Sequence, residues 1–329
     1  MSPDVGDRVL VTRRIASSIV ARLDACFELD VHDSEEPLDR DDLLGRVAGA
    51  AGVLSMVSDR VDEEFLQAGG EDLRVVANYA VGFDNIDVAA ASRHRVVIAN
   101  TPDVLSQATA ELTLSLILSL VRRVPEGDRV LRSATPWIWS PTWMIGRGLA
   151  GGTLGIIGLG RIGKEVARLA AVFGMDVIYA NRSGPVADVP YRSAQLEELL
   201  ATADVVSLHC PLNDDTWHLI GAGELARMKP DAVIVNTARG PVIDEAALVV
   251  AVRDRVIAGA ALDVFEREPE VHSGLLELDR VVLTPHMGSG TNEAREAMGG
   301  LCLDALKAVI IDDRCPENAL NPEALRAPQ

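Results

Sequence analysis

The sequence contains Gly158-Leu159-Gly160-Arg161-Ile162-Gly163 directly after an apolar run at residues 153–157 and before a segment with helical apolar spacing at residues 164–173. In this strand–turn–helix context, a G-x-G-x-x-G motif predicts a dinucleotide-binding turn. The first glycine permits a tight turn, the second lets N–H groups approach a pyrophosphate, and the third lets the helix pack against the strand. The start of the helix also favours phosphate. The alternative is a tight turn without a ligand.

Short apolar segments alternate with helical patterns on both sides of this motif. In the first hundred residues, predicted strands lie at 9–11, 51–56, 75–80 and 96–98, and predicted helices lie at 15–25, 39–48 and 62–67. From the motif onward, predicted strands lie at 154–157, 177–179, 205–208, 233–236, 258–262 and 281–283. Such alternation predicts parallel sheets, and six strands match a complete dinucleotide-binding fold. The predicted fold class is α/β, with two doubly wound parallel-sheet domains, one flavodoxin-like and one Rossmann.

The motif lies in the middle of the chain, so another domain must precede the nucleotide fold. Thr101-Pro102-Asp103 ends the first series and caps a long apolar helix that runs to about Val121, and a last helix is predicted at residues 293–309. We therefore predict a substrate-binding domain made of residues 1–100 plus 289–329. A dinucleotide-binding domain at residues 101–288 is inserted into it.

The charge, apolar stretches and cysteine spacing of the chain indicate which partners and which location to expect. The chain has 329 residues, a net charge of -18 and a sequence pI of about 4.7. Such an acidic chain is repelled by phosphate backbones, so we expect no nucleic-acid partner and no anionic membrane partner. The longest apolar stretch, residues 112–121, is too short to span a bilayer. Because Cys26, Cys210, Cys302 and Cys315 form no C-x-x-C pair, we expect reduced thiols, no metal site and a cytoplasmic location.

The end of the second predicted strand of the nucleotide fold bears on cofactor choice. An acidic residue about 20 positions after the glycines normally binds the adenosine ribose. Here Asn181 stands in that place, followed by Arg182 and Ser183. A neutral side chain beside arginine and serine can hold a 2′-phosphate through charge-assisted hydrogen bonds. The sequence therefore predicts a preference for NADP(H). A surface arginine with NAD(H) still in use is the alternative.

Three candidate catalytic residues follow predicted strands: Arg239, Glu268 and His286. The carboxyl ends of parallel strands are where such folds bind ligands. Arginine binds a carboxylate bidentately, and histidine can donate a proton to a carbonyl oxygen near neutral pH. A neighbouring carboxylate keeps that histidine protonated and oriented. Each residue alone has an ordinary structural explanation, but together they predict reduction of a 2-keto acid.

Several longer motifs extend this pattern over nearly the whole chain, and they closely resemble those of the D-isomer-specific 2-hydroxyacid dehydrogenase family. They are residues 78–87, 101–105, 158–163, 236–240 with 242–245, 262–269 and 284–289. Residues 78–82 and the stretch from Trp139 to Gly146 most resemble the glyoxylate/hydroxypyruvate reductase branch. The resemblance implies reduction of glyoxylate or hydroxypyruvate to the D-2-hydroxy acid by hydride transfer from NADPH.

The same resemblance assigns roles to individual residues. Arg239, Glu268 and His286 match the catalytic residues of the family, with His286 as proton donor. Val81 and Gly82 match backbone donors to the substrate carboxylate, and Val57 matches a side chain near the substrate. A larger set of residues matches the positions that line the cofactor in the family. They are the six residues from Gly158 to Gly163 together with Thr109, Asn181, Arg182, Ser183, Cys210, Pro211, Thr216, Ala238, Asp263 and Gly288.

Trp137, Trp139 and Trp143 cluster in one proline-containing segment. The resemblance implies a homodimer in which this segment crosses to the partner, with Trp139 or Trp143 near the partner's active site. Local packing of an aromatic loop is an equally good explanation.

Other functions remain open at this stage. Phosphite dehydrogenase has the same catalytic residues but a lysine where this chain has Val81, which argues against it. Phosphoglycerate dehydrogenase is disfavoured by the lack of a C-terminal regulatory domain and by Asn181-Arg182. A related D-2-hydroxyacid dehydrogenase with a larger substrate remains open. Since a fold alone does not fix function, a non-catalytic NAD(P)-sensing binding protein is the alternative from another class.

Overall fold

A computed structural model describes residues 7–325 of the chain and divides it into two compact units. The first unit comprises Met1–Leu105 and Gly290–Gln329, and the second comprises Ser106–Ser289. Each unit contains one parallel β-sheet with helices. The predicted fold class, two parallel-sheet α/β domains, is confirmed.

The strands and helices, given in chain order, alternate through most of both units. The strands are β1 (Arg8–Val11), β2 (Glu28–Val31), β3 (Gly52–Ser55), β4 (Val75–Asn78), β5 (Val97–Ala99), β6 (Thr153–Ile157), β7 (Asp176–Ala180), β8 (Arg192–Ser193), β9 (Val205–Leu208), β10 (Val233–Asn236), β11 (Gly259–Leu262) and β12 (Val281–Leu283). The α-helices are α1 (Ser17–Asp24), α2 (Arg40–Val47), α3 (Glu63–Gly69), α4 (Val88–His94), α5 (Ser106–Val121), α6 (Val124–Arg132), α7 (Arg161–Val172), α8 (Leu196–Thr202), α9 (Ala222–Leu225), α10 (Glu245–Arg253), α11 (Ser273–Leu276) and α12 (Asn292–Ile310). Two 3₁₀ turns lie at Gly240–Val242 and Pro322–Ala324.

The sheet of the first unit has the strand order β2-β1-β3-β4-β5. Its central strands are fully buried apolar runs, as parallel sheets covered on both faces require. The C-terminal helix α12 packs directly on this sheet, because a Cβ added at Gly52 would lie 2.7 Å from Leu306 and 2.8 Å from Ile310. Aspartate or threonine side chains cap α2, α3, α4 and α12 by accepting a backbone N–H of the first turn.

The sheet of the second unit has the strand order β12-β11-β10-β9-β6-β7-β8. The order reverses between β6 and β9, and the crevice at such a switch point is where doubly wound folds bind ligands. This sheet has seven strands, whereas the sequence patterns predicted six. The additional strand, β8, is two residues long and pairs with Ile178 and Tyr179 at the edge of the sheet.

Two negative findings apply to residues 7–325. No helix there combines the length and the apolar character needed to cross a bilayer. In the same part of the chain no three His, Cys, Asp or Glu side chains are grouped so that they could bind a metal ion. The four cysteines are free thiols.

Candidate active site

The glycine turn after β6 has the shape that the sequence predicted. Gly158 has a φ of 95°, and a Cβ there would lie 2.7 Å from the backbone nitrogen of Cys210. A Cβ at Gly163 would lie 2.4 Å from the carbonyl oxygen of Gly158, so α7 can approach the turn only because this residue has no side chain. Gly160 has no neighbouring atom within 4 Å of an added Cβ. The turn therefore leaves open space at the start of a twelve-residue helix, where a pyrophosphate would fit.

The residues after β7 lie beside this turn. The Oδ1 atom of Asn181 accepts a hydrogen bond of 2.6 Å from the backbone N–H of Leu159, which ties the two loops together. Arg182 and Ser183 are exposed. The Arg182 guanidinium is not isolated, because its Nη1 atom lies 2.5 Å from Oδ2 of Asp215 in the loop after β9. That ion pair was not foreseen from the sequence.

Asp263, directly after β11, is the most unusual polar group near this edge of the sheet. Its side chain is buried, and its Oδ1 atom accepts hydrogen bonds from the hydroxyl of Thr284 at 2.6 Å and from the N–H of Met287 at 2.9 Å. The Oδ2 atom, next to Gly288, has no hydrogen-bond partner within residues 7–325. Burial raises the pKa of this carboxyl above its ordinary value, although the hydrogen bonds from Thr284 and Met287, the positive charge of His286 and the nearby N–H of Gly288 lower it. A buried acceptor without a donor is what a polar ligand group would satisfy.

The remaining predicted cofactor residues also lie in the second unit. Buried Thr109 of α5 adjoins Gly288, since an added Cβ on that glycine would lie 3.4 Å from the threonine methyl group. Half-buried Ala238 follows β10 and donates its N–H to Asn236. Cys210, Pro211 and Thr216 form the loop after β9, in which the Thr216 hydroxyl donates to the Pro211 carbonyl at 2.7 Å. The open glycine turn and the unsatisfied acceptor on Asp263 fit a dinucleotide.

His286 and Glu268 form a hydrogen-bonded pair. The Nδ1 atom of His286 lies 2.7 Å from Oε2 of Glu268, and about a third of each side chain is exposed. The other carboxylate oxygen, Oε1, accepts the N–H of Phe265 at 3.0 Å, which fixes the orientation of the carboxylate. The pair therefore holds the ring by one nitrogen and leaves Nε2 as the nitrogen that can exchange a proton with a ligand.

The charge of Glu268 follows from its neighbours. Burial would raise the pKa of this carboxyl, but the hydrogen bond and positive charge of His286 outweigh it, with smaller contributions from the N–H of Phe265 and the charge of Arg239. The pKa of Glu268 consequently lies below its ordinary value. The carboxylate is therefore ionised at neutral pH beside the imidazole of His286.

The backbone of His286 is held in a left-handed conformation, with a φ of 50°. Its N–H donates to the carbonyl of Asp263 at 2.8 Å and to that of Thr284 at 3.1 Å. A non-glycine residue in this region is costly unless its surroundings determine it. Here the bonds to Asp263 and Thr284 keep the imidazole facing Glu268.

Arg239 lies in the loop after β10. Asn236 holds this loop at two points: its Nδ2 donates to the Arg239 carbonyl at 2.8 Å, and its Oδ1 accepts the N–H of Ala238 at 3.0 Å. The next residue, Gly240, contacts the following loop so closely that a Cβ would lie 1.9 Å from the carbonyl carbon of Phe265. The loop of Arg239 is thus packed directly on the loop that contains Glu268.

A pair of carboxylates that the sequence analysis did not identify joins these same loops. The N–H of Glu245 donates to Oε1 of Glu266, and the N–H of Glu266 donates to Oε1 of Glu245, both at 2.8 Å. Glu245 is only 5% exposed, which is rare for a glutamate without such partners. The sequence places the two glutamates in separate motifs, and only the contact between the loops reveals that they act together.

Within the first unit, two asparagines shape the loop after β4 that contains Val81 and Gly82. Asn78 donates its Nδ2 to the Gly82 carbonyl and Asn100 donates its Nδ2 to the Val81 carbonyl, each at 2.8 Å. The N–H groups of Val81 and Gly82 have no hydrogen-bond partner in residues 7–325. Val57 lies half-buried just after β3. The loop therefore presents two N–H donors that could bind an anion.

Comparison with known proteins shows the family to which the chain is similar. The D-isomer-specific 2-hydroxyacid dehydrogenase NAD-binding domain model matches residues 114–288. The glyoxylate reductase of Thermococcus litoralis is 40% identical over 326 residues, which cover 97% of this chain and 98% of the relative. The TT0316 protein of Thermus thermophilus has a TM-score of 0.90 and 42% identity, covering 95% of this chain and 99% of its own.

A further solved structure was determined with a cofactor bound. The NADPH-dependent glyoxylate/hydroxypyruvate reductase of Sinorhizobium meliloti, in complex with NADP and malonate, has a TM-score of 0.86 and 30% identity, covering 98% of this chain and 99% of its own. Together these likenesses identify an NAD(P)-dependent dehydrogenase that reduces 2-keto acids. Since the family model spans more than half of the chain and the relatives align over nearly all of it, the protein belongs to the D-isomer-specific 2-hydroxyacid dehydrogenase family, in its glyoxylate reductase branch.

Proposed function

We propose that this protein reduces glyoxylate or hydroxypyruvate to the corresponding D-2-hydroxy acid with NADPH as its preferred reductant. The observation that supports this most directly is the His286–Glu268 pair, 2.7 Å apart, in a unit that also presents Arg239 after an adjacent strand. Proton donor, orienting carboxylate and carboxylate-binding arginine are the groups that reduction of a 2-keto acid requires.

Each group has a distinct task. Arg239 binds the substrate carboxylate through its planar guanidinium, and we assign the N–H groups of Val81 and Gly82 to substrate binding. Val57 contacts the rest of the substrate. The cofactor, when bound, supplies the hydride that reaches the carbonyl carbon. His286 donates a proton from Nε2 to the carbonyl oxygen, and Glu268 stabilises the protonated ring beforehand.

Residues of the second unit would hold the cofactor. The N–H groups of the turn from Gly158 to Gly163 suit the pyrophosphate, and the unsatisfied Oδ2 of Asp263 suits a polar donor on the nicotinamide. Asn181, Arg182 and Ser183 suit the adenosine ribose and its 2′-phosphate. The preference for NADPH is supported by the neutral Asn181, which does not repel a 2′-phosphate as an aspartate would, and by the neighbouring Arg182.

A spectrophotometric assay tests this proposal. Purified protein should oxidise NADPH when glyoxylate or hydroxypyruvate is added. The value of kcat/KM should be at least about tenfold higher for NADPH than for NADH, because a hydrogen bond to a charged group contributes about 1.5–3 kcal/mol. Pyruvate, phenylpyruvate and, in the oxidative direction, phosphite complete the panel. A clear NADH preference would contradict the cofactor proposal, and activity confined to bulky keto acids would contradict the substrate. If the protein binds NADPH but turns over none of these substrates, the result would favour a sensing protein.

We also propose that the protein is a homodimer joined through residues 124–145. This segment exposes an unusual number of large apolar side chains, namely Val124, Leu131, Trp137, Ile138, Trp139, Trp143 and Ile145. Trp137 and Trp143 stack with ring centroids 5.9 Å apart, so part of the cluster packs locally, whereas Ile138 is 84% exposed and Trp139 is 76% exposed. Such a concentration of exposed large apolar side chains in one segment is typical of an interface.

Sedimentation velocity checks the dimer. The wild-type protein is expected to sediment as a dimer at low micromolar concentration. The double substitution Ile138→Ser and Trp139→Ser should weaken association by at least about tenfold, since burying each such side chain contributes about 1.5–3 kcal/mol. Trp217→Ser is the control, because Trp217 is a similarly exposed tryptophan outside the segment. A stable wild-type monomer would refute the proposal.

A further inference from the structure

We propose that Asp215 is a specificity-determining residue that limits the preference for NADPH over NADH. Its carboxylate is paired with Arg182, the residue assigned above to the 2′-phosphate, so the two anions compete for one guanidinium. The inference rests on that proposed use of Arg182.

The ion pair joins loops that follow two different strands, one on each side of the switch point. Arg182 follows β7 and Asp215 lies in the loop after β9, and Nη1 of the arginine is 2.5 Å from Oδ2 of the aspartate. The side chains are 76% and 67% exposed, so a ligand can reach both. Within residues 7–325, Asp215 is the acidic side chain that pairs with Arg182.

The loop around Asp215 is fixed by its own hydrogen bonds. The N–H of Asp215 donates to the side-chain oxygen of Asn213 at 3.0 Å, and the N–H of Asn213 donates to the hydroxyl of Thr216 at 2.9 Å. That hydroxyl in turn donates to the Pro211 carbonyl at 2.7 Å. Because these bonds hold the backbone, Asp215 stays close to Arg182 when a ligand approaches, whereas the long arginine side chain can reorient.

The Arg182–Asp215 pair affects the two cofactors differently, because only NADPH carries a 2′-phosphate. A 2′-phosphate carries nearly two negative charges near neutral pH. If Arg182 held it, the carboxylate of Asp215 would be close enough that 0.1 M salt would not fully screen their repulsion. Binding of NADPH must therefore either break the Arg182–Asp215 pair or place two anions on one guanidinium. NADH carries no 2′-phosphate, so its binding requires neither change. Removing the charge of Asp215 should strengthen the binding of NADPH and leave the binding of NADH nearly unchanged.

Calorimetric titration of the full chain tests this without requiring turnover. The probes are 2′,5′-ADP and 5′-AMP, which differ only in the 2′-phosphate, followed by NADPH and NADH. Asp215→Asn should lower the dissociation constants of 2′,5′-ADP and NADPH by about two- to fivefold, the range expected for an exposed ion pair. The dissociation constants of 5′-AMP and NADH should change less. Raising the salt concentration should diminish the gain.

Asp214→Asn is the matched control. It removes the same charge from the adjacent exposed residue, which forms no ion pair in residues 7–325, and should have a clearly smaller effect. Arg182→Ala should weaken the binding of NADPH. Asp215→Asn should have no further effect on that binding in the Arg182→Ala background, because the aspartate acts through the arginine.

The outcomes separate the two proposals. If Arg182→Ala leaves NADPH binding unchanged, the assignment of Arg182 to the 2′-phosphate is wrong, and the role of Asp215 is overturned with it. If Arg182→Ala weakens NADPH but Asp215→Asn does not tighten it, only the role of Asp215 is overturned. Equal gains for both cofactors, or an equal gain from Asp214→Asn, would also overturn it, since neither is specific to the ion pair.

Discussion

Replacing His286 with alanine should lower kcat for glyoxylate reduction by about two to four decades, the contribution typical of a positioned general acid. The substitution removes the nitrogen that donates the proton, while the glycine turn that would bind the cofactor lies at other strands of the sheet. NADPH binding, measured by fluorescence titration, should therefore change little. The steady-state measurement is made at saturating NADPH, so that the loss is read in kcat.

Two companion variants separate chemistry from folding. His272→Ala removes an exposed histidine elsewhere in the same unit and should leave kcat within about threefold of wild type. Glu268→Gln keeps the shape of the partner but removes its charge, so kcat should fall although the side chain can still accept a hydrogen bond. A loss of less than about threefold in His286→Ala would show that another group supplies the proton.

Gly240→Ala should lower kcat/KM by about two decades, because displacement of catalytic groups by about 1 Å can reduce the rate a hundredfold. A Cβ at this position would lie 1.9 Å from the carbonyl carbon of Phe265 and 2.0 Å from its carbonyl oxygen. Backbone cannot yield as a side-chain tip can, so the loop of Arg239 must move away from the loop of Glu268. The free energy of unfolding, measured by urea denaturation, should also fall by about 1–3 kcal/mol.

Gly45→Ala is the matched control for this experiment. Gly45 lies in α2, and an added Cβ there meets no atom within 4 Å. The same chemical change should leave kcat/KM unaltered and raise the free energy of unfolding by up to about 1 kcal/mol, since alanine is the better helix former. Wild-type kinetics in Gly240→Ala would mean that the two loops adjust independently of the catalytic side chains.

The sequence predicted the buried strands well but missed two of the edge strands, β2 and β8, for a physical reason. Central parallel strands are covered on both faces and appear as fully buried, mainly apolar runs, as in β9 and β10. The edge strand β2 (Glu28–Val31) alternates charged and apolar residues and is only partly buried, and β8 has two residues. Neither segment carries enough apolar signal to be recognised without its neighbour in the sheet.

The candidate site likewise contains residues that could be predicted from the sequence and others that could not. Arg239, Glu268 and His286 could be predicted because each lies in the loop after a strand of a recognisable parallel fold. The structure brings the last two within hydrogen-bond distance. The pairing of Arg182 with Asp215 could not, because it depends on how two loops approach each other in space. The assignment of Val57, Val81 and Gly82 to the substrate stays a prediction.

The strand order of the second sheet separates two kinds of evolutionary change. The residues that we assign to catalysis follow β10, β11 and β12, whereas the turn and loops assigned to the adenosine half of the cofactor follow β6, β7 and β9. Loops at separate strand ends can accumulate substitutions with little mutual interference, because distant sites are usually additive. A lineage with this sheet can thus exchange one nicotinamide cofactor for the other while its acid–base pair stays intact.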